Sequence, residues 1–194
     1  EDVARSLRAL QLRAFARYVP EGDDTGIAEM QALFEDINDL MSTYRDDSEL
    51  SRFNASPSTD WVAVHPELAE VVSAAQAISA ASGGAFDITV GPLVNLWGFG
   101  PEVKPDALPS EAEIQQALAR VGYQKLEVRQ EPPALRKAQS DLYLDLSAIA
   151  KGYAVDRLAA VVRGFGVDNA LVEIGGELYG WGRNAKGTPW RIAV

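Results

Sequence analysis

Three polar segments, two of which contain glycine, interrupt an otherwise ordinary apolar pattern, and they carry the residues that could do chemistry. In the first, residues 41–54 (MSTYRDDSELSRFN), Tyr44 follows an apolar helical pattern and could offer its flat aromatic face to a planar ring. Four further polar side chains could hold such a loop in shape: Ser48, Glu49, Ser51 and Asn54. A surface loop with local caps is the alternative that this segment alone leaves open.

The second segment, residues 83–100 (GGAFDITVGPLVNLWGFG), has glycines at both ends, which permit close approach of the backbone to a ligand. Asp87 lies between Phe86 and Ile88, and a carboxylate among apolar neighbours must find a hydrogen-bond donor or a ligand. The alternative is a tight turn in which Asp87 serves as a cap.

The third segment, residues 145–156 (DLSAIAKGYAVD), is typical of a strand that ends, a small-residue turn and a helix that begins. Such a junction directs backbone N–H groups and the positive end of a helix toward an anion, and Lys151 could add a charge for a phosphate. The glycine patterns of the Walker A and Rossmann loops are absent. A strand–helix connection with a solvated Lys151 remains the alternative.

The surrounding elements predict an α+β fold with mixed sheets and packed helices. Apolar spacing, caps and glycines predict helices over these ranges: about 27–42, 66–83, 110–122 and 147–165. Alternation predicts short strands over these ranges: 61–64, 125–129, 141–146, 170–174, 177–182 and 190–194. Residues 42–60 are polar and predicted to be a loop, and residues 1–19 fit a strand or a short helix. The length predicts a single domain over residues 1–194.

Charge and composition exclude several classes of function. The net charge of -10 disfavours non-specific binding to nucleic acid and to anionic membrane, because an acidic surface repels both. The absence of cysteine excludes a disulfide framework and a thiolate metal site. The one histidine, His65, precedes a predicted helix and is interpreted as a cap or surface residue rather than a catalytic group.

The three segments, followed by ALVEIGGELYGWG at residues 170–182, closely resemble the signature blocks of the ApbE flavin transferase family. The blocks occur in the same order and at similar spacing, and the resemblance covers about residues 27–194. It implies an ApbE-like, T-fold-like architecture. It also implies an FAD:protein FMN transferase, which moves FMN from FAD onto a threonine hydroxyl of a target flavoprotein with release of AMP and with Mg²⁺.

The resemblance also assigns roles to positions of this chain. It implies FAD contacts at these residues: Tyr44, Ala85, Phe86, Asp87, Ser147 and Tyr153. It implies that the backbone carbonyl of Ala150 binds the magnesium ion, and a carbonyl oxygen suits so hard a cation. It further implies a periplasmic or cell-envelope location, with a lipid anchor at the inner membrane, and acceptor subunits that belong to membrane redox complexes.

Two departures from the family pattern shape the expectations. The family carries a Met-Gly-Thr segment in an N-terminal strand, where this chain reads LQLRAFARYV. The family also continues into a histidine-containing block and an Asp/Thr pair that completes the magnesium site. The chain is therefore expected to lack the C-terminal part of the domain, to leave its catalytic residues unassigned, and not to transfer FMN by itself. A magnesium-dependent FAD pyrophosphatase, a flavin carrier and a ligand-free scaffold remain the alternatives.

Overall fold

The computed structural model of the chain describes residues 24–101 and 107–192. The chain divides into two compact units. We call residues 39–149 the central unit, and residues 24–38 together with 150–192 the terminal unit. The expectation of a single domain stays a prediction, and the interpretation of residues 1–19 lies outside the described residues. No helix in the described ranges is both long and apolar enough to cross a membrane.

The central unit is built from short helices around a small antiparallel sheet. Helix α1 (Asp24–Met41) begins in the terminal unit and ends in the central unit, where four helices follow: α2 (Glu49–Ala55), α3 (Pro66–Ala81), α4 (Gly91–Leu96) and α5 (Glu111–Leu118). The strands are ordered β1-β3-β2, with these bounds: β1 (Val62–Ala63), β2 (Leu126–Gln130) and β3 (Pro133–Lys137). Helix α3 packs on β2 and β3 and buries its apolar face there.

Local hydrogen bonds explain where two of these helices begin. The imidazole Nδ1 of His65 accepts the N–H of Glu67 at 3.3 Å and caps α3, so the interpretation of His65 as a cap is confirmed. Ser110 and Glu113 form the capping box expected at the start of α5. Hydrogen bonds from the hydroxyl and the backbone N–H of Ser110 lower the pKa of Glu113.

The terminal unit packs helix α6 (Ala150–Gly164) against a hairpin of β4 (Ala170–Ile174) and β5 (Glu177–Trp181). Gly175 and Gly176 have φ values of +56° and +95°, as a two-residue type I′ turn requires. Helix α1 contributes to the same core, whose buried members are Leu33, Phe34, Ile37, Ala154, Val155, Leu158, Ala159, Val172 and Ile174.

The α+β class is confirmed, but one predicted loop and two predicted strands are wrong, and α4 and β3 were not predicted. Helix α2 lies inside the segment predicted to be a loop. Residues 141–146 form no strand, although Leu142, Leu144 and Leu146 are fully buried. Alternating apolar residues indicate which side chains are buried, but not whether the backbone pairs with a neighbouring strand. Residues 190–192 form no strand either, and residues 193–194 lie outside the described ranges.

Candidate functional site

The loop that carries Tyr44 is fixed by its own polar side chains. The hydroxyl of Ser48 donates to the carbonyl of Ser42 at 2.6 Å and accepts the N–H of Ser51 at 2.9 Å, which caps α2. The hydroxyl of Ser51 donates to the same carbonyl at 3.1 Å. The carboxylate of Glu49 accepts the N–H of His65. The predicted loop-holding role of these side chains is therefore confirmed.

Asn54 fixes the far end of this segment through a distant partner. Its Nδ2 donates to the carbonyl of Leu144 at 2.8 Å, and its Oδ1 accepts the N–H of Leu144 at 2.8 Å. A side-chain amide thus satisfies both backbone groups of one residue, as a neighbouring strand would. The end of α2, which follows the loop that carries Tyr44, is consequently bonded to Leu144 of the same unit.

Lys137, at the end of β3, is a second tie to this region. Its side chain is 1% exposed, and the ammonium donates to the carbonyls of Asn54 and Ser56 at 3.0 and 2.8 Å. A longer contact of 3.5 Å reaches the carbonyl of Ser140, and the ring of Phe53 lies 4.9 Å from Nζ. Burial lowers the pKa of Lys137, while the charge of Asp141 opposes that shift.

Tyr44 itself is presented to solvent by this framework. Its side chain is 52% exposed, its backbone N–H donates to the hydroxyl of Ser42 at 3.1 Å, and its phenol donates to the carbonyl of Phe99 at 3.3 Å. A large aromatic side chain that is held in place and yet exposed is suited to stacking on a planar ligand. The assignment of Tyr44 to the flavin stays a prediction.

Asp87 accepts three hydrogen bonds within the central unit. Its Oδ1 accepts the N–H and the hydroxyl of Thr89 at 2.8 and 2.6 Å, and its Oδ2 accepts the N–H of Tyr123 at 2.8 Å. The hydroxyl of Thr89 in turn accepts the N–H of Gly122 at 2.7 Å. The carboxylate therefore joins residues 87–89 to residues 122–123, as the scaffold interpretation expects, while the FAD contact at Asp87 stays a prediction.

The residues just before Asp87 are presented by the end of α3. Gly83 and Gly84 both have positive φ values, +63° and +86°, which end the helix and turn the chain. Ala85 is exposed and Phe86 is half-buried. The turn therefore leaves a short stretch of accessible backbone next to a carboxylate that is anchored by three hydrogen bonds.

Ser147 lies in a segment that adjoins the Asp87 segment. The N–H of Asp145 donates to the carbonyl of Ile88 at 2.8 Å, and Asp145 Oδ1 accepts the N–H of Ser147 at 2.8 Å. Asp145 is buried whereas Ser147 is exposed. The backbones that carry Asp87 and Ser147 thus meet in one unit, while the FAD contacts that the resemblance implies for these two residues and for Tyr153 stay a prediction.

The remaining predicted residues lie in the terminal unit, on the first turn of α6. Ala150 is buried, and Tyr153 packs on the core of this unit with the guanidinium of Arg157 5.9 Å from its ring centre. The ammonium of Lys151 lies 3.4 Å from the carbonyl of Gly175 and 3.9 Å from the carboxylate of Glu177. Lys151 thus contacts the β4–β5 hairpin rather than being fully solvated, and its expected contact with a phosphate stays a prediction.

A magnesium ion is not fitted by the described residues alone. Residues 24–101 and 107–192 contain no group of three or more acidic or histidine side chains arranged to hold a metal. The carbonyl of Ala150 supplies one oxygen, whereas Mg²⁺ takes near-octahedral oxygen coordination. The role of Ala150 in metal binding stays a prediction.

Sequence reasoning missed two features of this site. The carbonyl of Phe99 as a partner of Tyr44 left no signal, because any residue type supplies a carbonyl. The burial of Lys137 was also missed, because it follows Arg136 as a second cationic residue at the end of a strand that was not predicted.

Comparisons with known proteins were made by sequence and by structure. Residues 9–194 match the ApbE family. The chain is 48% identical over 166 residues to a FAD:protein FMN transferase of Vibrio cholerae and 43% identical over 168 residues to that of Escherichia coli K12. Each match covers 86% of this chain and 49% or 48% of the relative, so the chain spans about half the length of the curated relatives it matches.

Solved structures of ApbE flavin transferases are also similar to this chain. The flavin transferase ApbE from Vibrio cholerae aligns with a TM-score of 0.86 and 41% identity, covering 94% of this chain and 62% of that one. The apo form of the flavinyl transferase ApbE from Pseudomonas stutzeri aligns with a TM-score of 0.81 and 39% identity, covering 94% of this chain and 65% of that one. The ApbE-like architecture expected from the sequence is confirmed.

Proposed function

The chain belongs to the ApbE family, and from this membership we propose that the protein is an FAD:protein FMN transferase. The observation that carries the proposal is Tyr44, an exposed ring held at its backbone and at its phenol by hydrogen bonds within a segment that matches the family pattern. Relatives named FAD:protein FMN transferase support the activity. FAD is then the substrate, and its isoalloxazine ring stacks on Tyr44.

The proposed reaction is a phosphoryl transfer. A threonine oxygen of the target protein forms a bond to the phosphorus on the FMN side of FAD, and the bond from that phosphorus to the bridging oxygen breaks. AMP leaves with the electron pair, and the threonine proton passes to a base that the described residues do not assign. Catalysis of such a transfer consists mainly of positioning and charge stabilisation. The segments that carry Tyr44 and Asp87 contribute to positioning, because hydrogen bonds hold their backbones in place.

Magnesium dependence and cellular location belong to the same proposal. The first rests on the match of Ala150 to the family position whose carbonyl binds the metal. The second, a lipid-anchored protein of the cell envelope that modifies subunits of membrane redox complexes, rests on the family resemblance. Fractionation of cells, with the protein traced by antibody, tests the location, and recovery in the cytosol alone would contradict it.

One incubation tests the activity. The full-length protein is mixed with FAD, magnesium and a threonine-bearing acceptor, and the acceptor is examined for fluorescent flavin that survives denaturing electrophoresis. Covalent flavin with one AMP released per flavin supports the transferase. An acceptor in which alanine replaces the threonine is the control and should stay unlabelled.

The same incubation separates the alternatives. Free FMN and AMP without labelling would identify an FAD pyrophosphatase, in which water takes the place of the threonine. Intact FAD that remains bound would identify a flavin carrier. Either outcome would overturn the transferase proposal.

A further inference from the structure

The turn at residues 97–100, which follows α4, is held unusually tightly for an exposed loop. Gly98 has a φ of +73°, a conformation that glycine adopts without strain. The N–H of Gly98 donates to the carbonyl of Asn95 at 2.9 Å, and the N–H of Phe99 donates to the carbonyl of Val94 at 2.9 Å. These bonds fold the turn back on α4 and fix the peptide groups on either side of Gly98.

Close packing at Gly100 fixes the same turn from its other end. A Cβ atom built on Gly100 would lie 1.7 Å from Oδ1 and 3.4 Å from the Cα of Asn95. Asn95 is buried, so its side chain has little room to withdraw. Only glycine fits here without moving the turn.

This turn touches Tyr44 across 55 residues of sequence. The phenol of Tyr44 donates to the carbonyl of Phe99 at 3.3 Å, and the backbone N–H of Tyr44 is bonded to Ser42. Both aromatic side chains are exposed, at 52% for Tyr44 and 77% for Phe99, so burial does not fix the Tyr44 ring. The hydrogen bond to the turn favours one orientation of the phenol.

We propose that the turn at residues 97–100 is a positioning element for Tyr44: the carbonyl of Phe99 holds the phenol so that the ring presents a fixed face to the flavin. This proposal rests on the proposed function, because it explains how Tyr44 is held for stacking on the flavin of FAD. A ring without this bond samples other staggered rotamers, and the apparent dissociation constant rises as the fraction in the binding-competent rotamer falls.

The first test removes the phenol oxygen and keeps the ring. Tyr44→Phe should weaken FAD binding by about 2- to 10-fold, the range given by one hydrogen bond of about 0.5–1.5 kcal/mol. Affinity is measured by flavin fluorescence titration of the full-length protein, and thermal unfolding is recorded alongside. Tyr179→Phe on β5 is the matched control and should leave FAD affinity unchanged. An unchanged dissociation constant for Tyr44→Phe would overturn the proposal.

The second test moves the turn and asks whether the effect passes through Tyr44. Gly100→Ala forces a shift against Asn95 and should weaken FAD binding by a factor similar to that of Tyr44→Phe. In the Tyr44→Phe background the same glycine substitution should add little, because the bond that it breaks is already gone. Gly164→Ala, at the end of α6 where a Cβ meets nothing within 4 Å, is the control. Equal factors in both backgrounds would overturn the coupling.

The outcomes also separate this proposal from the function on which it rests. If Tyr44→Ala weakens FAD binding while Tyr44→Phe does not, the ring matters and its positioning by the turn is wrong. If neither variant changes the affinity, the flavin does not stack on Tyr44 and the proposed site itself is wrong. Should Gly100→Ala fail to fold, Tyr44→Phe with its control decides the matter alone.

Discussion

Replacement of Asp87 by asparagine should lower the free energy of unfolding of the central unit. Any loss of FAD affinity should follow from this loss of stability and not from a lost direct contact. The carboxylate accepts three hydrogen bonds, two from Thr89 and one from the N–H of Tyr123. An asparagine amide has a single oxygen, so in either orientation its NH₂ group faces a backbone N–H. One donor loses its acceptor, at a cost of about 1.5–3 kcal/mol, and the other bonds lose the help of the charge.

We therefore expect Asp87→Asn to lower the free energy of unfolding by about 2–4 kcal/mol in total, measured by urea denaturation. Asp36→Asn, which removes the same charge from an exposed position on α1, should change it by less than about 0.5 kcal/mol. FAD affinity should fall only to the extent that residues 85–87 lose their shape. Unfolding free energies that are equal for the two variants, with FAD binding abolished in Asp87→Asn alone, would refute the scaffold interpretation and make Asp87 a direct ligand contact.

Further outcomes follow, of which the last rests on the family match and not on a contact in the structure. Tyr44→Ala should weaken FAD binding by roughly 1–3 kcal/mol in a fluorescence titration, the scale of a lost aromatic stacking contact, and an unchanged affinity would contradict the assignment. Ser48→Ala removes the cap of α2 and the bond to Ser42, so it should lower the unfolding free energy by about 1–2 kcal/mol in urea, whereas Thr59→Ala, which removes a hydroxyl from an exposed loop position, should not. Lys137→Met leaves three backbone carbonyls without their donor and should cost about 2–4 kcal/mol. Burial lowers the pKa of this lysine in the folded protein, so the unfolded chain binds more protons between that pKa and the unfolded value of about 10.4. The free energy of unfolding of the wild type, relative to that of Lys137→Met, should therefore rise with pH in this window. A difference that falls with pH would contradict the burial. Chelation with EDTA should abolish acceptor labelling and added magnesium should restore it, whereas full labelling in EDTA would contradict the metal requirement.

The parts of the fold that sequence reasoning predicted are those that local chemistry decides. Periodic apolar residues and the Ser110–Glu113 capping box located the long helices and α5. Helix α2 escaped because only Leu50 and Phe53 are buried in it, so its apolar signal is too short to stand out from polar neighbours. Strand β3 escaped because Pro133 opens it and Arg136 and Lys137 end it, although a proline is tolerated at the first residue of a strand.

The candidate site shows the same division between local and distant contacts. Loop-holding roles for Ser48 and Ser51 were predictable because their partners lie within ten residues. The partners of Asp87 and Tyr44 were not, since Tyr123 and Phe99 are 36 and 55 residues away and offer only backbone atoms. A carboxylate between apolar residues indicates that a hydrogen-bond partner is present, but the tertiary fold determines which group that partner is.

The amide pair between Asn54 and Leu144 has a consequence for the order in which the protein folds. The two residues are 90 positions apart, and Lys137 reaches the carbonyl of Asn54 across 83 positions. Loops of that length close slowly, because the entropy of closure must be lost before the contacts repay it. During synthesis on the ribosome, the segment that carries Tyr44 emerges long before these partners. The end of α2 therefore makes its final contacts only after residues 137–146 have arrived, whereas the bonds among Ser42, Ser48 and Ser51 need no partner from that later stretch.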